Sequence, residues 1–214
     1  MSLKNVKPSL NKISKSLEST HASREYLIKN GRDVIMLCSQ AIISVHKGDI
    51  KSAKNKMKQA KSQLSKLRKH ATGGLRYHVI TPEQEFVETV SLLSIIEKKP
   101  IPTVKSLQVS NEAYLLGLLD CIGELKRLVF DKIRSGKGTE AVKIFEIMEN
   151  LYLNLYPFAT FDKIVKETKS QMTVRLFAEE TALLSRISCK SAYDLNLKEG
   201  DKVFAQVKTA ALLT

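Results

Sequence analysis

Residues 111–134 read NEAYLLGLLDCIGELKRLVFDKIR. As a helix, this stretch carries Leu115, Leu116, Leu118, Leu119, Ile122, Leu125, Leu128 and Val129 on nearly every side, which is the pattern of a central, buried helix. Two acids, Asp120 and Glu124, interrupt it four residues apart and so share one face. Helical periodicity spreads outward in both directions. A long segment from Val6 to Val45, with Leu10, Ile13, Leu17, Leu27, Val34, Cys38 and Ile42 at 3–4 spacing, reads as one long helix or two nearly continuous ones ending at Lys47-Gly48. Asp49 caps a second helix to about His70, and Thr81-Pro82 opens a third that runs to about Lys98. Beyond Gly136-Lys137-Gly138, a helix from Thr139 to Tyr156 and another from about Thr160 to Leu184 follow. Lys202–Lys208 alternates as a strand. The fold class is all-α, a bundle of six to seven helices over residues 1–185, with a short α+β tail over 186–214.

The composition narrows the function. The chain has 214 residues, 43% hydrophobic and 27% charged, with nine Gly and no Trp, which excludes wholesale disorder and disfavours turn-dense β folds. Three scattered cysteines, Cys38, Cys121 and Cys189, make neither a disulfide framework nor a CxxC pair and read as reduced, buried thiols. MSLKNVKPSLNKISKSL lacks the apolar core of a signal peptide, and no run approaches the ~18 apolar residues that span a bilayer, so a soluble, cytoplasmic protein with no membrane partner is expected. The net charge is +13, and all of it lies in residues 1–80, which hold 17 Lys and Arg against four acids. Such segregation is the footprint of a polyanion partner, or else a solubilising lysine face. No GxxxxGK[ST], GxGxxG or GxSxG is present.

Two acid pairs stand where a bundle should be apolar. Glu85 and Glu88 are three apart, and Glu85 falls between Leu92 and Ile96 on the wheel; Asp120 and Glu124 share their sector with Leu116, Gly117 and Leu128. Converging carboxylates resolve by protonation, by pairing with Lys or Arg, or by a divalent metal. Hard oxygen donors with no histidine nearby favour Mg2+ or Mn2+ over Zn2+. The bland alternative pairs Glu124 with Arg127 and leaves Glu85 and Glu88 facing water.

Glu83-Gln84-Glu85-Phe86-Val87-Glu88, together with Tyr114-Leu115-Leu116-Gly117-Leu118-Leu119-Asp120-Cys121-Ile122-Gly123-Glu124-Leu125-Lys126-Arg127, resembles the translin family over about residues 5–185. The likeness is to the branch of translin-associated factor X and its archaeal relatives. It implies a hollow, roughly octameric homo-oligomer that binds single-stranded RNA or DNA and cleaves RNA with a divalent metal. It places the catalytic acids on Glu85, Glu88, Asp120 and Glu124, with Glu88 and Glu124 as metal ligands. It also implies a short nucleic-acid segment at Arg76-Tyr77-His78; Arg24 and Arg32 lie in its opening helix, and Lys54, Lys58 and Lys61 are further candidate contacts on the basic second helix. The tail resembles the closing half of a molybdate-binding module whose opening half is missing, so a strand-pairing or oligomer contact is expected there rather than oxyanion binding. Two other readings remain at this stage: a non-catalytic single-strand binder with vestigial acids, and a helical metal-sensing regulator.

Overall fold

The computed structural model describes residues 5–161, 171–178, 181–188 and Gly200. Val6–His46 forms a single helix, α1, of 41 residues. The chain reverses at Gly48, whose φ of 78° is one that side-chain-bearing residues rarely adopt. Asp49 then caps α2 (Ile50–His70), its carboxylate accepting from the Ser52 N–H at 2.9 Å. A 3-10 turn over Gly73–Val79 leads into α3 (Ile80–Ile96). The Pro100-Ile101-Pro102 connector is followed by a one-turn helix, α4 (Val104–Leu107), then by α5 (Asn111–Arg134) and α6 (Gly138–Leu155).

The core is built from one face of each helix. Leu27, Val34, Cys38, Ala41 and Val45 of α1 pack against α2, where Ala53, Met57, Ala60, Leu64 and Leu67 are buried; α3 packs on both α1 and α5, and α6 lies on α5. The small side chains of Ala53, Ala60 and Ala41, all fully buried, allow the first two helices to pack closely. Gly117 does the same between α3 and α5: a Cβ there would come within 2.5 Å of the Gln84 carbonyl oxygen and 2.7 Å of Val87 Cβ. The helix around it is buried through Leu116, Leu118, Cys121, Leu125 and Leu128, but Phe130 and Ile133 near its end are exposed. The first half of α1 keeps its apolar spacing and remains uncovered, with Leu17 at 64% exposure and Val6, Leu10 and Ile13 also open.

A buried ion pair ties three elements together. Glu83 is 0% exposed and accepts from Arg68 Nε at 3.0 Å and from the Ser110 N–H at 2.9 Å, while Arg68 Nη2 donates to the Leu107 carbonyl at 3.1 Å. Arg68 belongs to this core and not to the basic surface of α2.

The chain divides into two units, Met1–Pro157 and Phe158–Thr214. In the second, the sequence-based helix over 160–184 is wrong. β1 (Gln171–Ala178) and β2 (Thr181–Ser188) pair antiparallel in register Gln171 with Ser188 to Ala178 with Thr181. Met172-Thr173-Val174-Arg175-Leu176 alternates with period two, and strand pairing outweighs the helical leaning of the neighbouring Leu, Ala and Glu residues. The strand expected at Lys202–Lys208 and Cys189 lie outside the described residues. Among the described residues no helix is long and apolar enough to cross a membrane.

Candidate functional site

Close approach of α3 and α5 at Gly117 brings the two acid pairs into one cluster. Glu85 and Glu88 come from α3, Asp120 and Glu124 from α5, and their charges act on one another. Glu88 is buried, 8% exposed. Burial first, then the charges of Glu85, Asp120 and Glu124, push its carboxyl up to about 8. Glu85 is half-buried and is raised by burial and by Asp120 and Glu124. Among the described residues neither the Glu85 nor the Glu88 carboxylate has a hydrogen bond or an ion pair; Glu85 accepts only through its carbonyl, from Thr89 Oγ1 at 2.8 Å. The other two acids are held. Asp120 accepts from Gln84 Nε2 at 2.6 Å. Glu124 Oε2 lies 2.5 Å from His46 Nε2, and this hydrogen bond holds its carboxyl below the usual range against the opposing effect of burial.

His46 corrects the sequence reading that no histidine is near. It closes α1, 78 residues from Glu124, and its other ring nitrogen lies 3.2 Å from Asp131 Oδ2. With a carboxylate at each nitrogen, both can donate only as the imidazolium. The anticipated Arg127–Glu124 pair exists, but at 3.8 Å and from a guanidinium that is 57% exposed, so it is the weaker of the two partners. His46, Asp131 and Gln84 carried no local sequence signal, because their partners are brought in by tertiary packing.

The donor set suits a hard cation. Buried Cys38 is pushed up to about 12, mainly by burial, and Cys121 is raised by burial and the nearby acids. Both therefore stay protonated and offer no thiolate to a soft metal. The geometry is less complete than the chemistry: among the described residues no three His, Cys, Asp or Glu side chains already converge on a metal position.

The candidate nucleic-acid residues are dispersed. Arg24, Arg32, Lys58, Lys61 and Arg76 are exposed. Lys54 is tied in an ion pair to Glu97 just past α3. His78 is half-buried, its ring tilted on Tyr77 with centroids 3.9 Å apart, and its Nε2 is buried without a hydrogen-bond partner. These residues lie on α1, α2 and the 3-10 turn; α2 packs on α1 and on α3, which carries Glu85 and Glu88, whereas Asp120 and Glu124 are on α5.

Comparison with known proteins fits this architecture. An uncharacterized protein of Methanocaldococcus jannaschii is 33% identical over 175 residues, covering 80% of this chain and 79% of that one. The structure of AfC3PO in complex with duplex RNA superposes with a TM-score of 0.67 at 27% identity, over 75% of this chain and 84% of that one. Apo-NeC3PO shares the fold, with a TM-score of 0.70 at 21% identity over 78% of this chain and 89% of that one. The model of the TOBE domain matches residues 163–213. A 60-residue stretch is 42% identical to the molybdenum import ATP-binding protein ModC of Hahella chejuensis, which is 28% of this chain but only 17% of that protein. The translin family model matches residues 22–176, which takes in both acid pairs and the helices that carry them. On these grounds the chain belongs to the translin family.

Proposed function

We propose that this protein is a divalent-metal-dependent endoribonuclease that cleaves single-stranded RNA and works as a homo-oligomer. The observation that carries the reading is Glu88, a buried carboxyl group surrounded by three other acids with no cation beside it among the described residues. Ionising such a group in place costs several kcal/mol, and a bound cation offsets that cost. Glu88 and Glu124 would hold Mg2+ or Mn2+ on carboxylate oxygens. When bound, the cation supplies an acidified water and stabilises charge on the phosphoryl oxygens. Glu85, raised by burial and by Asp120, is suited to take the proton of the attacking water. Asp120, fixed by Gln84, faces the same cluster. AfC3PO, to which the chain is similar, has been solved with duplex RNA, which supports RNA as the ligand class.

A second reading, a non-catalytic binder of single-stranded RNA or DNA, is favoured by one specific observation. Glu124 is already hydrogen-bonded to His46, and among the described residues no three acids are placed to hold one metal ion. Cleavage of an end-labelled single-stranded RNA with Mg2+, with Mn2+ and in EDTA separates the two. The enzyme reading expects metal-dependent cleavage that falls at least a hundredfold in Glu88→Gln, with RNA affinity in EDTA unchanged. Absence of metal-dependent cleavage in the wild type, with binding retained, establishes the binder.

A further inference from the structure

One side of α5 next to the acids forms a shallow groove of about 410 Å3, lined by Gly123, Lys126, Arg127, Phe130, Asp131 and Arg134. These positions are spaced 3, 1, 3, 1 and 3, so they make one continuous stripe along three turns of the helix. Three of the six are cations. Arg127 and Arg134 reach Glu124 and Asp131 only loosely, at 3.8 and 3.6 Å, and both guanidinium groups are largely in solvent. Lys126 is exposed and has no ion pair among the described residues. Asp131, the one acid of the lining, is engaged by His46, so three cations stand against one acid along the groove. Between the cations the ring of Phe130 is 49% exposed, and Gly123 leaves the space beside Glu124 open, since a Cβ there would meet nothing within 4 Å.

We infer that this groove is where a single-stranded segment of RNA lies, phosphates on Lys126, Arg127 and Arg134 and one base stacked on Phe130. The inference rests on the reading of the protein as an RNA-acting one, and it assigns the strand a path and a basis for choosing single strands. Cations at 126, 127 and 134 are set at intervals along the helix, matching a string of charges and not a single anion. An aromatic face between them offers what an unpaired base needs and a duplex, whose bases are already stacked, does not use. Arg127 joins the groove to the acids: a phosphate that displaces its loose contact with Glu124 is then one side chain away from the cluster.

Two exposed substitutions test this without threatening the core, Phe130→Leu and Arg134→Gln. Affinity is measured in EDTA for a fluorescent 15-nucleotide single strand and for the same sequence as a duplex, across a salt series, with light scattering on each variant. Phe130→Leu is expected to weaken single-strand binding by about tenfold, within the range of one base–aromatic stack, while changing duplex binding less than twofold. Arg134→Gln is expected to lower the single-strand salt slope by about 0.7. Equal affinity of wild type and both variants overturns the proposal while leaving the RNA reading intact, and so does an equal loss on both forms of RNA. A Phe130→Leu protein of lower assembled mass overturns it too, by making this face a subunit contact. A wild type that binds neither RNA overturns the functional reading itself, and this inference with it.

Discussion

Glu88 and Glu124 lie in one cluster and respond to pH in opposite directions. The Glu88 carboxyl is raised from the ordinary range to about 8. Its contribution to stability is therefore complete below its unfolded pKa and is lost as pH rises through about 8. In EDTA the melting temperature should fall between pH 5 and pH 9, and Glu88→Gln should flatten that fall. Excess Mg2+ or Mn2+ at pH 8 should raise the wild-type melting temperature and leave the variant's unchanged, since a ligand that binds the folded state stabilises it. Glu124 is lowered by His46, so its contribution is present above the unfolded pKa and is lost as pH falls. His46→Ala and Glu124→Gln should each cost about 1–3 kcal/mol at neutral pH, as charge-assisted hydrogen bonds do. The double variant should cost little more than His46→Ala alone in chemical denaturation, because that change already removes the shared bond along with the Asp131 contact. The acids themselves were legible from spacing and from their apolar neighbours on the helical wheel. His46 was not, because a contact spanning 78 residues leaves no local pattern.

Helix α5 carries two glycines of opposite kind, and substitution distinguishes them. Gly117 is the point of closest approach, so Gly117→Ala forces a Cβ into the Gln84 carbonyl and Val87. It should destabilise the bundle by about 1–3 kcal/mol, the usual cost of overpacking, and should blunt any metal response by moving the two acid pairs apart. Gly123 faces open space six residues later on the same helix. Gly123→Ala should stabilise it by about 1 kcal/mol, the helix propensity difference. Thermal melts of the two variants should therefore shift in opposite directions. Both glycines look alike in the sequence, and only the packing partner sets them apart. The same limit explains the C-terminal hairpin. The Leu-rich β2 segment, Thr181–Ser188, satisfies a helical pattern about as well as a strand pattern, and its pairing with β1 decides. The long helices were readable because 3–4 spacing repeated over many turns leaves little ambiguity, and α4 was not, because one turn holds no periodicity.

At the scale of the molecule, the first unit leaves two apolar faces uncovered. One runs along the start of α1 through Leu10, Ile13 and Leu17; the other runs along α6 through Val142, Leu153 and Tyr152. Contiguous exposed apolar surface of this kind marks contact sites. Light scattering should give a mass several times the 24.0 kDa of the chain, and Leu10→Asp with Leu17→Asp should reduce it without lowering helicity in the rest of α1.

The length of α1 has its own consequence. At 1.5 Å per residue it is about 60 Å long, and its burial begins only at Leu27. From Val6 to Ala22 all residues of the helix are exposed, with Tyr26 against His70 the first aromatic contact to α2, and an isolated helix of that length is marginal in water. Their amide protons are then protected only while something covers Leu10, Ile13 and Leu17. Deuterium uptake over residues 7–24 should quicken as the protein is diluted, while uptake over 34–45 stays constant, so that isotope exchange in one helix reports how crowded its surroundings are.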